Sequence, residues 1–109
     1  MDYSQLSDQE INIQVARIMH PEREVIESKS RPPSACVIGH LPSKWVDYCN
    51  NPADAWPIIE SNRIGVMPSE MKTKELWMST SGKGSYAYHE NPLRAAMIVF
   101  LQMQDEKHA

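Results

Sequence analysis

Residues 91–101 read Asn-Pro-Leu-Arg-Ala-Ala-Met-Ile-Val-Phe-Leu, and they predict a helix. Asparagine is a preferred N-cap and proline is tolerated at the first helical position, so Asn91-Pro92 predicts the start of a helix. One face of this helix is apolar at helical spacing: Leu93, Ala96, Met97, Phe100 and Leu101. Ile98 and Val99 make the other side apolar as well. Such a helix is either central to a core or half of an interface, and the sequence leaves both open.

A second Asn-Pro pair, Asn51-Pro52, predicts another helix start, and Asp54 adds a favourable negative charge in its first turn. Pro57 complicates this helix, because a proline there removes the hydrogen bond to the carbonyl of Ala53. Either the helix kinks at Pro57, or Asp54 is a second N-cap and the Asn51-Pro52 turn is separate. The residues alone do not decide between the two.

The clearest local signal lies near the amino terminus. Ser7 and Glu10 have the spacing of a capping box, and Leu6 and Ile11 occupy the positions of a hydrophobic staple. Apolar side chains follow at helical spacing, and His20-Pro21 ends the pattern because the residue before a proline is disfavoured in helical geometry. A first helix is therefore predicted between these signals.

Short apolar stretches between turn residues predict strands at 23–27, 35–38, 64–67, 76–78 and 86–89. The glycines of Ser81-Gly82-Lys83-Gly84 predict a hairpin loop between the last two. Leu41 to Tyr48 is predicted to be loop or a partial turn. The order α-β-β-α-β-β-β-α predicts an α+β fold, with three helices packed on a small antiparallel sheet.

The length, charge and apolar content of the chain limit the classes of protein to which it can belong. A chain of 109 residues with 41% apolar content predicts a single domain over residues 1–109, with 104–109 as a frayed tail. The net charge of −3 and the lack of a basic run argue against gathering a polyanion. No apolar stretch is long enough for a membrane span, and the amino terminus is polar and acidic, so we expect a cytoplasmic protein with no membrane partner. Cys36 and Cys49 are expected to be reduced and buried.

Three kinds of active site can be weighed on spacing. Cys36, His40, Cys49 and His89 could supply zinc ligands, but their spacing lacks the usual close pairs. Cys49 lies just before a helix start, which favours a reactive thiol, with His40 or His89 as partner, but no motif fixes that partner. The segment 79–85 has residues suited to an anion but not the spacing of a phosphate loop. We expect no catalytic residues, no metal and no cofactor.

Binding to a macromolecule is the remaining class. Stacking on nucleic acid would use Trp45, Tyr48, Trp77, Tyr86 and Tyr88, with Lys44, Lys72, Lys74 and Lys83 on phosphates. The favoured interpretation is a noncatalytic protein-interaction module, which binds another protein or associates with itself through the Leu93–Leu101 helix. Nucleic-acid binding is the alternative, and a cysteine-dependent or metal-dependent enzyme is less favoured.

Two blocks of the chain resemble a known family. Residues 47–59, Asp-Tyr-Cys-Asn-Asn-Pro-Ala-Asp-Ala-Trp-Pro-Ile-Ile, and residues 90–101, Glu-Asn-Pro-Leu-Arg-Ala-Ala-Met-Ile-Val-Phe-Leu, are similar to the NinX-like proteins of lambdoid bacteriophages and prophages. The opening residues 1–7 match as well, whereas 22–45 and 67–88 match least. The resemblance implies a phage accessory protein in the cytoplasm of a bacterial host cell and no particular activity. The expected partner is then a host or phage protein, and the nucleic-acid alternative becomes an accessory factor of phage replication or recombination.

Within these blocks, some residues are not obviously needed for a core. They are Asn50, Asp54, Trp56, Pro57 and Arg94, and they are the predicted binding residues. The solvent exposure of these side chains separates a role in folding from a role in binding.

Overall fold

A computed structural model describes residues 1–39, 42–69 and 75–107. Its elements are a short 3-10 helix Tyr3–Gln5, α1 Asp8–Met19, β1 Val25–Glu27, β2 Ala35–Val37, β3 Lys44–Val46, α2 Pro52–Ser61, β4 Gly65–Pro68, β5 Trp77–Thr80, β6 Tyr86–His89 and α3 Pro92–Lys107. The strands form two antiparallel sheets in the orders β1-β2-β3 and β4-β5-β6, here called the N-terminal and C-terminal sheets. The α+β fold class is confirmed.

The predicted helix starts are found where the capping residues place them. Ser7 and Glu10 form both hydrogen bonds of the capping box, and α1 ends at Met19, just before His20. Asn51 accepts a hydrogen bond from the backbone N–H of Ala53 at 3.0 Å. Local side-chain chemistry therefore sets the beginnings of these helices.

The alternatives at Pro57 are decided by α2 itself. The helix runs from Pro52 to Ser61 with Pro57 inside it, so Asn51-Pro52 is the true helix start and not a separate turn. Asp54 is not a second N-cap, because its Oδ2 accepts a hydrogen bond at 2.9 Å from the backbone N–H of Asp47, which precedes the helix.

One strand was missing from the predicted order. Residues 41–48 were expected to be loop, but Lys44–Val46 pairs with β2, with Trp45 opposite Cys36. The strand is only three residues long, so its own periodicity is too short to indicate a strand, and pairing with β2 supplies the stabilisation. The protein consequently has two three-stranded sheets where one small sheet was expected.

Helix α3 lies at the centre of the core. Ile98 and Val99 are 2% and 0% exposed, and every residue from 94 to 101 is buried. Helices α1 and α2 and the C-terminal sheet all contact α3, so its apolar sides are covered within the chain. Of the two alternatives for this helix, the central one is found.

The helix also extends beyond the predicted start of the tail at residue 104. It continues to Lys107, and its last turn is tied to other elements. The hydroxyl of Tyr3 donates to Asp105, and the hydroxyl of Ser85 donates to Glu106. Residues 108 and 109 lie outside the described ranges.

Candidate functional site

Arg94 is buried where the beginning of α3 meets the beginning of α1. Its Nη1 lies 2.7 Å from Oδ1 of Asp8. In this ion pair the arginine side chain is 8% exposed and the aspartate side chain is 32% exposed. Its Nη2 donates to the carbonyl oxygens of Ser4 at 3.2 Å and Leu6 at 2.6 Å. The guanidinium therefore holds the amino-terminal segment against α3. This arrangement is structural, because the charged group is turned inward.

Two asparagines join the two Asn-Pro blocks directly. Nδ2 of Asn91 donates to the carbonyl of Cys49 at 2.6 Å and to Oδ1 of Asn50 at 3.2 Å. Oδ1 of Asn91 caps α3 by accepting from the backbone N–H of Leu93 at 2.9 Å. Asn50 also donates to a carboxylate oxygen of Asp47 at 3.1 Å. The same residues that begin the helices thus fix how α2 and α3 meet.

Asn12 completes this cluster and was not among the predicted residues. It is fully buried in α1, where its Nδ2 donates to Asp47 at 2.8 Å and to the carbonyl of Pro33 at 3.0 Å. Its Oδ1 accepts from the backbone N–H of Cys49 at 3.1 Å. A polar residue between the apolar Ile11 and Ile13 was the available signal. We call Asp8, Asn12, Asp47, Asn50, Asn91 and Arg94 the Arg94 network.

The remaining predicted residues separate by exposure. Asp54 is half-buried and bonded to the backbone that leads into α2, whereas Trp56 is 57% exposed and Pro57 is also exposed. Of the five predicted residues, Asn50, Asp54 and Arg94 therefore hold the helix starts together. Asn50 is exposed as well, but its amide is hydrogen-bonded to Asp47 and Asn91, so Trp56 and Pro57 are the two exposed residues outside the Arg94 network.

The outer face of the C-terminal sheet is a larger exposed surface. Strand register places six residues on this face: Gly65, Met67, Met78, Thr80, Tyr86 and Tyr88. The opposite face carries Ser79 and Ala87, both buried, and packs on α3. We call Met67, Met78, Tyr86 and Tyr88 the tyrosine–methionine face.

This face combines aromatic and thioether groups without a charge. Tyr86, Tyr88 and Met67 are 61%, 43% and 42% exposed, and Met78 is half-buried between them. The two tyrosine rings meet edge to face, with centroids 6.1 Å apart. None of the six outward residues carries a charge. The two tyrosines were already candidates for stacking on nucleic acid, whereas the two methionines were not predicted to be exposed. Which face of a strand points outward depends on the helix that covers the other face.

The arrangement around Cys49 does not favour nucleophilic catalysis. Cys49 is completely buried, and burial, reinforced by the nearby Asp8 carboxylate, raises the pKa of its thiol. A nucleophile requires the thiolate, so the shift is in the wrong direction. Nδ1 of His89 is occupied by the backbone N–H of Asn91 at 2.9 Å, and His40 lies outside the described residues.

Metal and phosphate binding find no support in the geometry. Within residues 1–39, 42–69 and 75–107, no three histidine, cysteine or acidic side chains are grouped so as to hold a metal ion. In the hairpin loop, Oγ1 of Thr80 accepts from the N–H of Gly82, and Oγ of Ser81 accepts from those of Lys83 and Ser85. These backbone donors are therefore already used within the loop, and an anion would have to displace the hydroxyls.

The residues proposed for nucleic-acid stacking are scattered. Tyr48 is buried, which raises the pKa of its phenol to about 12, and Trp45 lies under the guanidinium of Arg31. Trp77, Tyr86 and Tyr88 are exposed, whereas Lys72 and Lys74 lie outside the described residues. In the described part of the chain, no helix has the length and hydropathy needed to cross a bilayer.

Comparison with protein families identifies the family of the chain. A family model described as "Bacteriophage P22, NinX" matches residues 2–104, which is nearly the whole chain. No curated protein and no solved structure matches it.

Proposed function

Since this chain belongs to the NinX family of bacteriophage P22, we propose that it is a noncatalytic phage accessory protein that works in the host cytoplasm by binding another protein. The family match confirms the resemblance seen in the two Asn-Pro blocks and makes the chain a phage accessory protein. The mode of action proposed here rests on the surface of the molecule.

One observation carries the proposal: the tyrosine–methionine face is aromatic, uncharged and uncovered by the described residues, although the other side of the same sheet packs on α3. Tyrosine and methionine are enriched in protein interfaces, whereas charged residues are depleted from interface centres. Methionine also adapts its shape to a partner. Trp56 and Pro57 are exposed on α2, and we assign them either to the edge of the partner interface or to a separate contact.

Self-association through the Leu93–Leu101 helix is not part of this proposal. The side chains that such an interface would need are already packed inside the chain, and exposing them would open the core. A partner, whether a host protein or a phage protein, is instead expected on the C-terminal sheet.

Site-specific photo-crosslinking in phage-infected cells tests the proposal. A photoreactive phenylalanine analogue replaces Tyr88 in one variant and the exposed Arg17 of α1 in a matched control. We expect one protein adduct of defined mass from position 88 and none from position 17. Adducts of equal yield at both positions, or none at position 88, would refute the proposed surface. A third variant carries the analogue at Trp56, and an adduct only there would move the binding surface to α2.

Single-stranded nucleic acid is the second candidate, and a specific observation favours it. Tyr86 and Tyr88 present two exposed rings at alternate positions of one strand, which is an arrangement on which bases can stack. The absence of charge on the face and the net charge of −3 make it the weaker candidate. Fluorescence titration with single-stranded DNA at low and high salt distinguishes the two: binding at low salt that is lost by Tyr86→Ala would support nucleic acid.

A further inference from the structure

The N-terminal sheet also has an outward face, and it contains a groove. Ile26, Cys36 and Trp45 are directly paired across β1, β2 and β3, so their side chains lie in one row. The neighbouring rows, on the opposite face, contain the buried Val37 and Val46. The row is the apolar floor of a groove of about 340 Å³, whose rim is the segment Glu27–Ser30.

Arg31 is positioned beside this floor by contacts on both sides. Its guanidinium carbon lies 4.3 Å from the centroid of the Trp45 ring. Its backbone N–H donates to Oγ of Ser28 at 3.0 Å, and its carbonyl accepts from the N–H of Ser34 at 2.9 Å. Stacking on an indole fixes the plane of a guanidinium and leaves its in-plane N–H donors free for a carboxylate.

The charges at the groove are unbalanced. In the described parts of the chain, neither Lys29 nor Arg31 has a carboxylate within 4.0 Å. Lys29 and Glu27 both line the groove, so their charges offset each other, and Arg31, placed beside the floor by Trp45, adds an uncompensated positive charge. The complementary occupant is therefore apolar where it meets the floor and negatively charged where it meets Arg31.

We propose that this groove binds an extended segment of a partner protein in which an apolar side chain stands next to a carboxylate. The apolar side chain lies on Ile26, Cys36 and Trp45, and the carboxylate accepts from the guanidinium of Arg31. The location supports an extended segment, because β1 is an edge strand and the groove opens beside it. The site is on a different sheet from the tyrosine–methionine face, so it does not depend on the function proposed for that face.

A peptide titration followed by nuclear magnetic resonance tests the proposal. The probe is acetyl-Gly-Leu-Glu-Leu-Gly-amide at millimolar concentration, and the matched control peptide has glutamine in place of glutamate. We expect shifts at the backbone N–H of Ile26 and Cys36 and at the indole N–H of Trp45, with affinity about fivefold weaker for the glutamine peptide, as for a partly exposed ion pair. No shift at these groups, or shifts concentrated on the C-terminal sheet, would overturn it.

Two arginine variants test whether Arg31 is the residue that recognises the carboxylate of the peptide. Arg31→Gln is expected to bind both peptides equally, whereas Arg17→Gln on the exposed side of α1 keeps the preference for glutamate. An Arg31→Gln variant that still prefers the glutamate peptide would refute the assignment. Cys36, a residue 8% exposed that lines the groove, provides a separate readout: peptide binding should slow the reaction of its thiol with a disulfide reagent, while the fully buried Cys49 remains unreactive throughout. An unchanged rate at Cys36 under saturating peptide would also contradict the proposal.

Discussion

Replacing Arg94 by methionine tests whether the family's sequence blocks specify the fold. Arg94→Met keeps an apolar side chain of similar reach in the core but removes the guanidinium. Asp8 then loses its ion pair, and the carbonyls of Ser4 and Leu6 lose the donor that Arg94 supplied. The amino-terminal segment is expected to detach from α3.

The size of the effect follows from burial. Removing one partner of a buried ion pair costs about 3–5 kcal/mol, since the other charge is left without compensation. Water can partly solvate the carboxylate of Asp8, which is 32% exposed, so the lower end of that range, about 3 kcal/mol, is expected. A domain of this size has a total stability of about 5–15 kcal/mol, so the loss is a substantial part of it.

Urea unfolding followed by circular dichroism measures this loss. Arg94→Lys keeps the charge but not the planar group that reaches three acceptors, and it should lose about half as much, roughly 1–2 kcal/mol. Arg17→Met on the exposed side of α1 is the matched control and should change the free energy of unfolding by less than about 0.5 kcal/mol. If Arg94→Met costs less than about 1 kcal/mol, the network is not what holds the helix starts together.

Three further predictions concern α2, α3 and the residues that lead into them. Asn91→Ala should cost about 2 kcal/mol in urea unfolding, because it removes both a cap and the bond to the carbonyl of Cys49, while Asn51→Ala, which removes a cap alone, should cost about 1 kcal/mol. Burial, and next the charge of Arg94, lowers the pKa of His89, so the folded protein binds fewer protons at this residue than the unfolded chain does. The free energy of unfolding should therefore fall as the pH decreases below about 6.5. The fall should be smaller in His89→Gln, and a fall of equal size in that variant would contradict this prediction. Pro57→Ala should raise the melting temperature by restoring a helical hydrogen bond inside α2, and a lower melting temperature would show that the proline is needed there.

The sequence was most informative where structure depends on neighbours in the chain. The capping box at Ser7 and the asparagine caps at Asn51 and Asn91 require only residues two or three positions away, and all three helix starts were predicted correctly. Strand β3 was missed because Trp45 and its two neighbours become a strand only by pairing with β2. Two sheets, rather than one, likewise follow from pairings that no local pattern expresses.

The residues of the candidate site likewise depend on contacts between distant parts of the chain. Arg94 was predicted to be a binding residue that the core does not need, but it is buried in an ion pair with Asp8, which is 86 residues away in the chain, so this contact could not be read from the sequence. Asn50 and Asp54 make hydrogen bonds between elements, whereas Trp56 and Pro57 are exposed and lie outside the Arg94 network. The tyrosine–methionine face could not be predicted as one surface, since its members come from three strands whose register the sequence does not express.

We propose that folding and binding use separate residues: the Arg94 network holds the helix starts together, and the tyrosine–methionine face contacts the partner. The most direct test places the photoreactive analogue at Tyr86 and compares adduct yield in infected cells with and without Tyr88→Glu, together with the free energy of unfolding. Tyr88→Glu removes the ring contact with Tyr86, so it should lower the free energy of unfolding by no more than about 1.5 kcal/mol, while the adduct is lost. An undiminished adduct in a stably folded Tyr88→Glu variant would contradict the claim.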